Sequence, residues 1–222
     1  MTRPNRLTVP VCNPESLKPD LDEVGLVSAP EKIFDALQFT SFLNNCYSDA
    51  PDLKNFRDNA VTELQRIRKT GMDEIASSFL KDPLAAEKVI RSYTWLTDCI
   101  LKSVWNISKL WLHPVPNPTQ AEKLCIIAVG GYGRKEMAPY SDVDLLFLTP
   151  YKITPWAESV IETILYILWD LKLKIGHSSR TINDCLRLGK EDYTIRTALL
   201  EQRLVDGDHA IAKELEKRLW SE

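Results

Sequence analysis

The sequence predicts an α/β (α+β) protein: a small mixed sheet packed with helices, preceded by a helical N-terminal region. Three observations carry this expectation. From Pro51 apolar residues recur in steps of three or four; two short runs, Leu124 to Val129 and Val143 to Leu148, are apolar almost throughout; and helical spacing returns after Thr154. Continuous apolar runs rich in β-branched residues are strands buried on both faces, and strands alternating with helical segments build a layered sheet.

Taken in order, residues 1–29 hold Pro4, Pro10, Pro14 and Pro19 with little periodicity, and are expected to be a flexible arm. A helical region over 30–112 follows. Phe56, Ala60, Leu64, Ile67, Gly71, Ile75 and Phe79 fall on one face of a first helix. Lys81-Asp82-Pro83 interrupts it, with Asp82 expected as N-cap and Pro83 as first residue of the next helix. That helix would bury Val89, Tyr93, Leu96, Ile100, Val104 and Ile107, making an antiparallel pair with the first. The run His113 to Thr119, with three prolines in seven positions, marks a connection. Beyond it, residues 120–222 are expected to form the core that carries the chemistry. The two apolar runs are its first strands, and Thr154-Pro155 caps a helix whose apolar face is Trp156, Val160, Ile164, Ile167, Leu168 and Leu171. Lys172 to Arg180 is expected as a third strand, and Thr181 with Asp184 as a capping box. Helices are expected from about Glu191 to Leu204 and from His209 onward. The sequence stops inside that last pattern, at Trp220-Ser221-Glu222, as at a boundary within a longer protein.

Composition narrows the function. The 222 residues carry 28 basic and 31 acidic side chains, a net charge of -3, which argues against a nucleic-acid-wrapping protein. The five cysteines are scattered and form no C-x-x-C pair, so reduced thiols are expected in place of a disulfide or zinc framework. No apolar stretch approaches the ~18–20 residues of a membrane span, and the N-terminus lacks a signal-peptide core. A cytoplasmic protein without nucleic-acid or membrane partners is expected.

The chemistry is concentrated in Val129 to Leu148, VGGYGRKEMAPYSDVDLLFL. Asp142 and Asp144 flank Val143 at the mouth of an apolar strand. Side chains alternate along a strand, so positions i and i+2 face the same way and the two carboxylates lie side by side. Such neighbours repel, and a divalent cation resolves the conflict; Mg²⁺ or Mn²⁺ takes hard oxygen ligands, a few from protein and the rest from water and phosphates. Gly130-Gly131, directly after the preceding strand, lets backbone N–H groups approach a triphosphate without a β-carbon in the way. Arg134 is the better of two nearby cations for phosphate, because a guanidinium binds it through two parallel hydrogen bonds. Ser141 suits a phosphate oxygen or a turn cap. Taken singly, D-x-D is usually turn chemistry, a diglycine a tight turn and an arginine a surface charge. The combination points to a site. His177 fits a structural role as well as a site role, His113 reads as loop surface, and Trp95, Trp105, Trp111 and Trp169 read as core. Gly131-x-Gly133 lacks both a third glycine and a Walker lysine, so neither dinucleotide nor P-loop binding is supported.

Gly130, Gly131, Gly133, Arg134, Glu136, Pro139, Ser141, Asp142 and Asp144 together resemble the signature of bacterial PII uridylyltransferases, within the DNA polymerase beta-like nucleotidyltransferases. The likeness continues in Leu168-Trp169-Asp170, Gly176-His177-Ser178, Arg180-Thr181 and Thr197 to Leu204. The resemblance implies a polymerase beta-like sheet and transfer of UMP from UTP to a tyrosine of the signalling protein PII, with Mg²⁺ or Mn²⁺ on Asp142 and Asp144. It also implies HD-type phosphohydrolase and ACT domains after this segment, neither of which the sequence contains. Members of that superfamily commonly add a third carboxylate from a later strand, and Lys172 to Arg180 offers none; Asp170, Asp184 and Asp192 are the nearest in sequence. Transfer of AMP or another nucleotide, or nucleotide binding without turnover, are the alternatives.

Overall fold

The computed structural model describes residues 11–19 and 25–221. They fall into two compact units, Met1–Pro114 and Val115–Glu222.

The first unit is helical. A short 3-10 turn, Pro14–Leu17, is capped by Asn13, and helices α1 (Pro30–Ile33), α2 (Ala36–Asp49), α3 (Leu53–Lys81) and α4 (Ala86–Asn106) follow. A π-helical turn, Ile107–Leu112, prolongs α4. Residues 1–10 and 20–24 of the expected arm lie outside the described residues. In the rest of it Cys12 and Leu17 are buried and the Val27 N–H donates to Ser92 Oγ at 2.9 Å, so those parts pack against the helices. The stripe expected on α3 is buried from Phe56 to Ile75, but Phe79 in the last turn is partly exposed. All six positions expected on the next stripe are buried. The junction differs from expectation. Asp82 ends α3 by donating its N–H to Ser78 and Phe79 carbonyls, Pro83 and Leu84 form a turn, and α4 starts at Ala86 with no side-chain cap. Tyr47, Phe56 and Trp111 close an aromatic cluster, with ring centroids 5.2–6.3 Å apart, that joins α2, α3 and the π turn. Trp95 and Trp105 are core as well, and His113, expected on the surface, is half-buried, which holds its imidazole below the usual range.

The second unit carries the sheet. Strands β1 (Cys125–Ala128), β2 (Val143–Thr149), β3 (Ile175–Thr181) and β4 (Arg203–Gly207) lie in the order β3-β2-β1-β4. β1 is antiparallel to both neighbours, and β2 is parallel to β3. A parallel pair needs a crossover, supplied by α6 (Pro155–Asp170), which Thr154 caps through its side chain to the Ala157 N–H. β3 begins at Ile175, not Lys172: Lys172 takes a left-handed φ of 58° and closes α6 with its N–H on the Trp169 carbonyl. Thr181 and Asp184 form the expected capping box of α7 (Ile182–Glu191).

The expected helix from Glu191 to Leu204 is two elements. α8 (Tyr193–Leu200) ends early, and Arg203–Gly207 pairs with β1 as the fourth strand, with a bulge between Ile126 and Ile127. A strand of five residues is too short to show its own period, and tertiary pairing decides it. α9 (His209–Ser221) follows, its first N–H groups accepted by the Asp208 carboxylate. One face of the sheet (Cys125, Ile127, Leu146 and Leu148) packs against Ile182, Cys185 and Leu186 of α7, Leu199 of α8, and Ile211, Leu215 and Leu219 of α9. No helix among the described residues is long and apolar enough to cross a membrane.

Candidate active site

The site is assembled where β1 leaves the sheet and β2 enters it. The Val129 N–H donates to the Asp144 carbonyl at 3.1 Å, and the Val143 N–H donates to the Lys174 carbonyl at 2.8 Å. The Asp142–Asp144 segment is therefore fixed by its backbone on both sides. Between the strands, Gly130 adopts a φ of 59° and opens α5 (Gly130–Gly133), a single helical turn. An L-residue with a side chain rarely takes that conformation, which accounts for glycine there. The return to β2 is held by the Glu136 N–H on the Gly131 carbonyl at 2.9 Å and by Ser141, whose hydroxyl accepts from the Ala138 N–H at 3.1 Å.

Asp144 lies two residues before Leu146, so it shares the face packed by α7, α8 and α9 but stands at its open end. Burial, and then the neighbouring charge of Asp142, push its carboxyl above the usual range. Asp142 is exposed. Among the described residues neither carboxylate accepts a hydrogen bond or meets a cationic side chain. A β-carbon at Gly130 would lie 3.7 Å from Asp144 Oδ2, which places the glycine turn against this carboxylate. One at Gly131 would find only the Glu136 carbonyl at 3.7 Å and an Arg134 nitrogen at 3.8 Å, so the backbone there remains approachable.

The structure thus brings Asp142, Asp144, Gly130, Gly131 and Arg134 into one neighbourhood. Ser141 caps the turn through its hydroxyl oxygen, which leaves its O–H free to donate to a phosphate oxygen. Arg134 is already engaged: its guanidinium pairs with Glu136 at 2.8 Å and Glu201 at 2.7 Å, and those hydrogen bonds raise its basicity. Glu201, just after α8, and Arg203, which donates to the Tyr132 carbonyl at 3.4 Å and lies over the Tyr132 ring, are supports that residue-by-residue reading did not find. Their only signal in the sequence was the likeness over Thr197 to Leu204. His177 faces away. Gly176 is the register partner of Asp144, so His177 points to the opposite face, where its ring meets Trp169 at 6.3 Å. Trp169, expected in the core, is 44% exposed.

Among the described residues no group of three His, Cys, Asp or Glu could hold a metal. The hard oxygen donors brought together at this mouth are the carboxylates of Asp142 and Asp144. Two hard carboxylates without a counter-charge fit Mg²⁺ or Mn²⁺, which draw their remaining ligands from water and substrate phosphate.

A small mixed sheet that presents an Asp-x-Asp pair at the mouth of one strand, against a glycine turn from the next, is the architecture of a nucleotidyltransferase. This chain belongs to the glutamate-ammonia ligase adenylyltransferase family, whose model matches residues 14–173. Among curated relatives it is 50% identical over 190 residues to the bifunctional uridylyltransferase/uridylyl-removing enzyme of Ruegeria pomeroyi, covering 86% of this chain and 21% of that protein. Proteins of the same name from Cereibacter sphaeroides (50% over 200 residues, 89% and 22%) and Azospirillum brasilense (37% over 201 residues, 90% and 21%) are also similar. The chain spans about a fifth of the length of these relatives.

Proposed function

We propose that this chain transfers UMP from UTP to a tyrosine of the PII signalling protein and releases pyrophosphate. The observation that carries the reading is the Asp142–Asp144 pair, backbone-fixed, without a cationic partner, and set against the Gly130 turn. The choice of UTP rests on the relatives, which are uridylyltransferases by name. The tyrosine of PII rests on the resemblance of the Gly130–Asp144 signature.

In this reading Asp142 and Asp144 hold Mg²⁺ or Mn²⁺. Such a cation, when held by these two carboxylates, would supply positive charge to the phosphates and would favour deprotonation of the acceptor hydroxyl. Gly130 and Gly131 let the backbone close on the triphosphate, and Arg134 contributes a planar pair of N–H donors to its oxygens. Ser141 keeps the turn that delivers Asp142 in register. The phenolic oxygen of the acceptor forms a bond to the α-phosphorus, the bond from that phosphorus to the bridging oxygen of the β-phosphate breaks, pyrophosphate leaves with the electron pair, and the phenolic proton is released.

A second reading, transfer of AMP, is favoured by the description of the family model, which names an adenylyltransferase. Incubation with PII, Mg²⁺ and labelled UTP or ATP separates the two. The expected result is label from UTP on PII, absent with Asp142→Asn/Asp144→Asn. Label from ATP alone would replace the first reading with the second. A chain that binds neither nucleotide would overturn both.

A further inference from the structure

The Asp144 carboxylate is walled by glycines. Asp144 and Gly176 are partners in the parallel β2–β3 register, so both present the same face. Ordinary cross-strand neighbours keep their β-carbons about 5 Å apart and coexist without conflict. Here a β-carbon at residue 176 would fall onto Asp144 Oδ1, and one at residue 130 would sit 3.7 Å from Oδ2. The Asp144 side chain therefore leans sideways over the β3 backbone, into the space that a side chain at 176 would fill. A glycine inside a strand weakens the strand and often marks a close approach. In this case the approaching group is one of the proposed cation ligands.

We infer that Gly176 is a positioning residue: its missing side chain sets the direction in which Asp144 presents its carboxylate to the divalent cation. This rests on the proposed role of Asp142 and Asp144 as the cation-binding pair. The β3 position beside Asp144 is thus held by a residue without a side chain, and no position of β3 holds Asp or Glu. The carboxylate next to Asp144 at this mouth is Asp142, while Asp206 lies in β4, paired with Ile126 of β1.

The test compares Gly176→Ala with the unsubstituted chain, using Mn²⁺ as the probe. Free Mn²⁺ is followed by electron paramagnetic resonance and unfolding by thermal melts. Gly176→Ala is expected to weaken Mn²⁺ binding about tenfold or more, as loss of an orienting partner does. Its melting temperature should fall when Asp144 is present and recover in Gly176→Ala/Asp144→Ala, where the methyl group has room. Unchanged Mn²⁺ affinity in Gly176→Ala, or an equal thermal penalty in both backgrounds, would overturn the inference while leaving the cation pair intact. If the single variant fails to fold, the double variant decides: recovery of folding supports the inference, and failure refutes it. Should the unsubstituted chain bind no Mn²⁺, and Asp142→Asn/Asp144→Asn behave identically, the reading of the pair falls, and the role of Gly176 with it.

Discussion

Arg134 and Glu201 are joined by a 2.7 Å ion pair that ties the glycine turn to the residue following α8. Glu136 takes a second edge of the same guanidinium at 2.8 Å. The arginine proposed for phosphate is therefore held in place before any ligand arrives, with its planar fork already oriented. Exposed pairs of this kind add little to stability. Arg134→Ala is expected to leave the melting temperature within a degree or two and to raise the KM for nucleotide roughly tenfold, since charge-assisted pairs with phosphate are strong. Glu201→Gln keeps the side-chain size and removes one hold, so a smaller rise in KM is expected. Initial rates against nucleotide concentration check both, and a KM unchanged in Arg134→Ala would remove that residue from the phosphate site.

The three glycines of the turn serve different purposes, and alanine separates them. At Gly133 a β-carbon would collide with the Glu201 carbonyl and come within 2.9 Å of the Ala128 carbonyl, backbone atoms at the end of α8 and of β1 that cannot swing aside as a side chain can. Gly133→Ala is expected to destabilise by about 3 kcal/mol, the upper end for overpacking. Gly130→Ala meets no collision but must hold a φ of 59°, at a cost of about 1–2 kcal/mol. At Gly131 there is room, with nothing nearer than 3.7 Å. Gly131→Ala should fold normally, and its methyl group would obstruct approach to the backbone N–H groups and raise the KM for nucleotide. Chemical denaturation alongside kinetics distinguishes the three, and a Gly131→Ala that destabilises as much as Gly133→Ala would contradict this order.

These glycines show what the sequence makes legible. The apolar runs and the stripes of α3, α4 and α6 are long or distinct enough that periodicity alone places them, and the pair Asp142 and Asp144 follows from strand alternation. Thr154 and Thr181 are legible because capping is local chemistry. Local rules do not reach pairings that depend on the assembled sheet. Arg203–Gly207 becomes a strand because β1 needs a partner, and Gly176 matters because parallel register sets it beside Asp144. The hold of Glu201 on Arg134 joins residues 67 positions apart, beyond any local spacing rule. The Asp82 error is of another kind: an Asp-Pro pair suits a helix start, yet here it ends α3 and leads into a turn.

Asp144 should leave a signature in the pH dependence of stability. Burial first, and then Asp142, raise its carboxyl above the ordinary value, so over the window from that value up to the raised one the folded chain holds more protons than the unfolded chain. Stability from this group is fully present below the ordinary carboxylate pKa of about 4 and is lost as pH rises through the raised value. Asp144→Asn removes the charge that burial disfavours. Its melting temperature, relative to the unsubstituted chain, is therefore expected to rise between pH 4 and pH 7.5. Adding Mn²⁺ at pH 7.5 should raise the melting temperature of the unsubstituted chain and leave Asp144→Asn unmoved. Parallel pH profiles for the two chains would contradict the assigned environment of this carboxylate.

His177 provides the control for the whole arrangement. It is one residue from Gly176 in sequence, yet alternation turns it to the opposite face of the sheet, edge-on to Trp169, which in turn meets Tyr166 edge-on at 5.6 Å. A group on that face lies across the sheet from Asp144, and removing it should cost only packing. His177→Ala is expected to lower stability by about 0.5–1.5 kcal/mol, the scale of one aromatic contact, with kcat unchanged within about twofold. Loss of a general base would instead lower kcat by ~10²–10⁴. The two outcomes are far enough apart that one kinetic series decides whether the side chain beside Gly176 packs α6 or takes the proton from the acceptor.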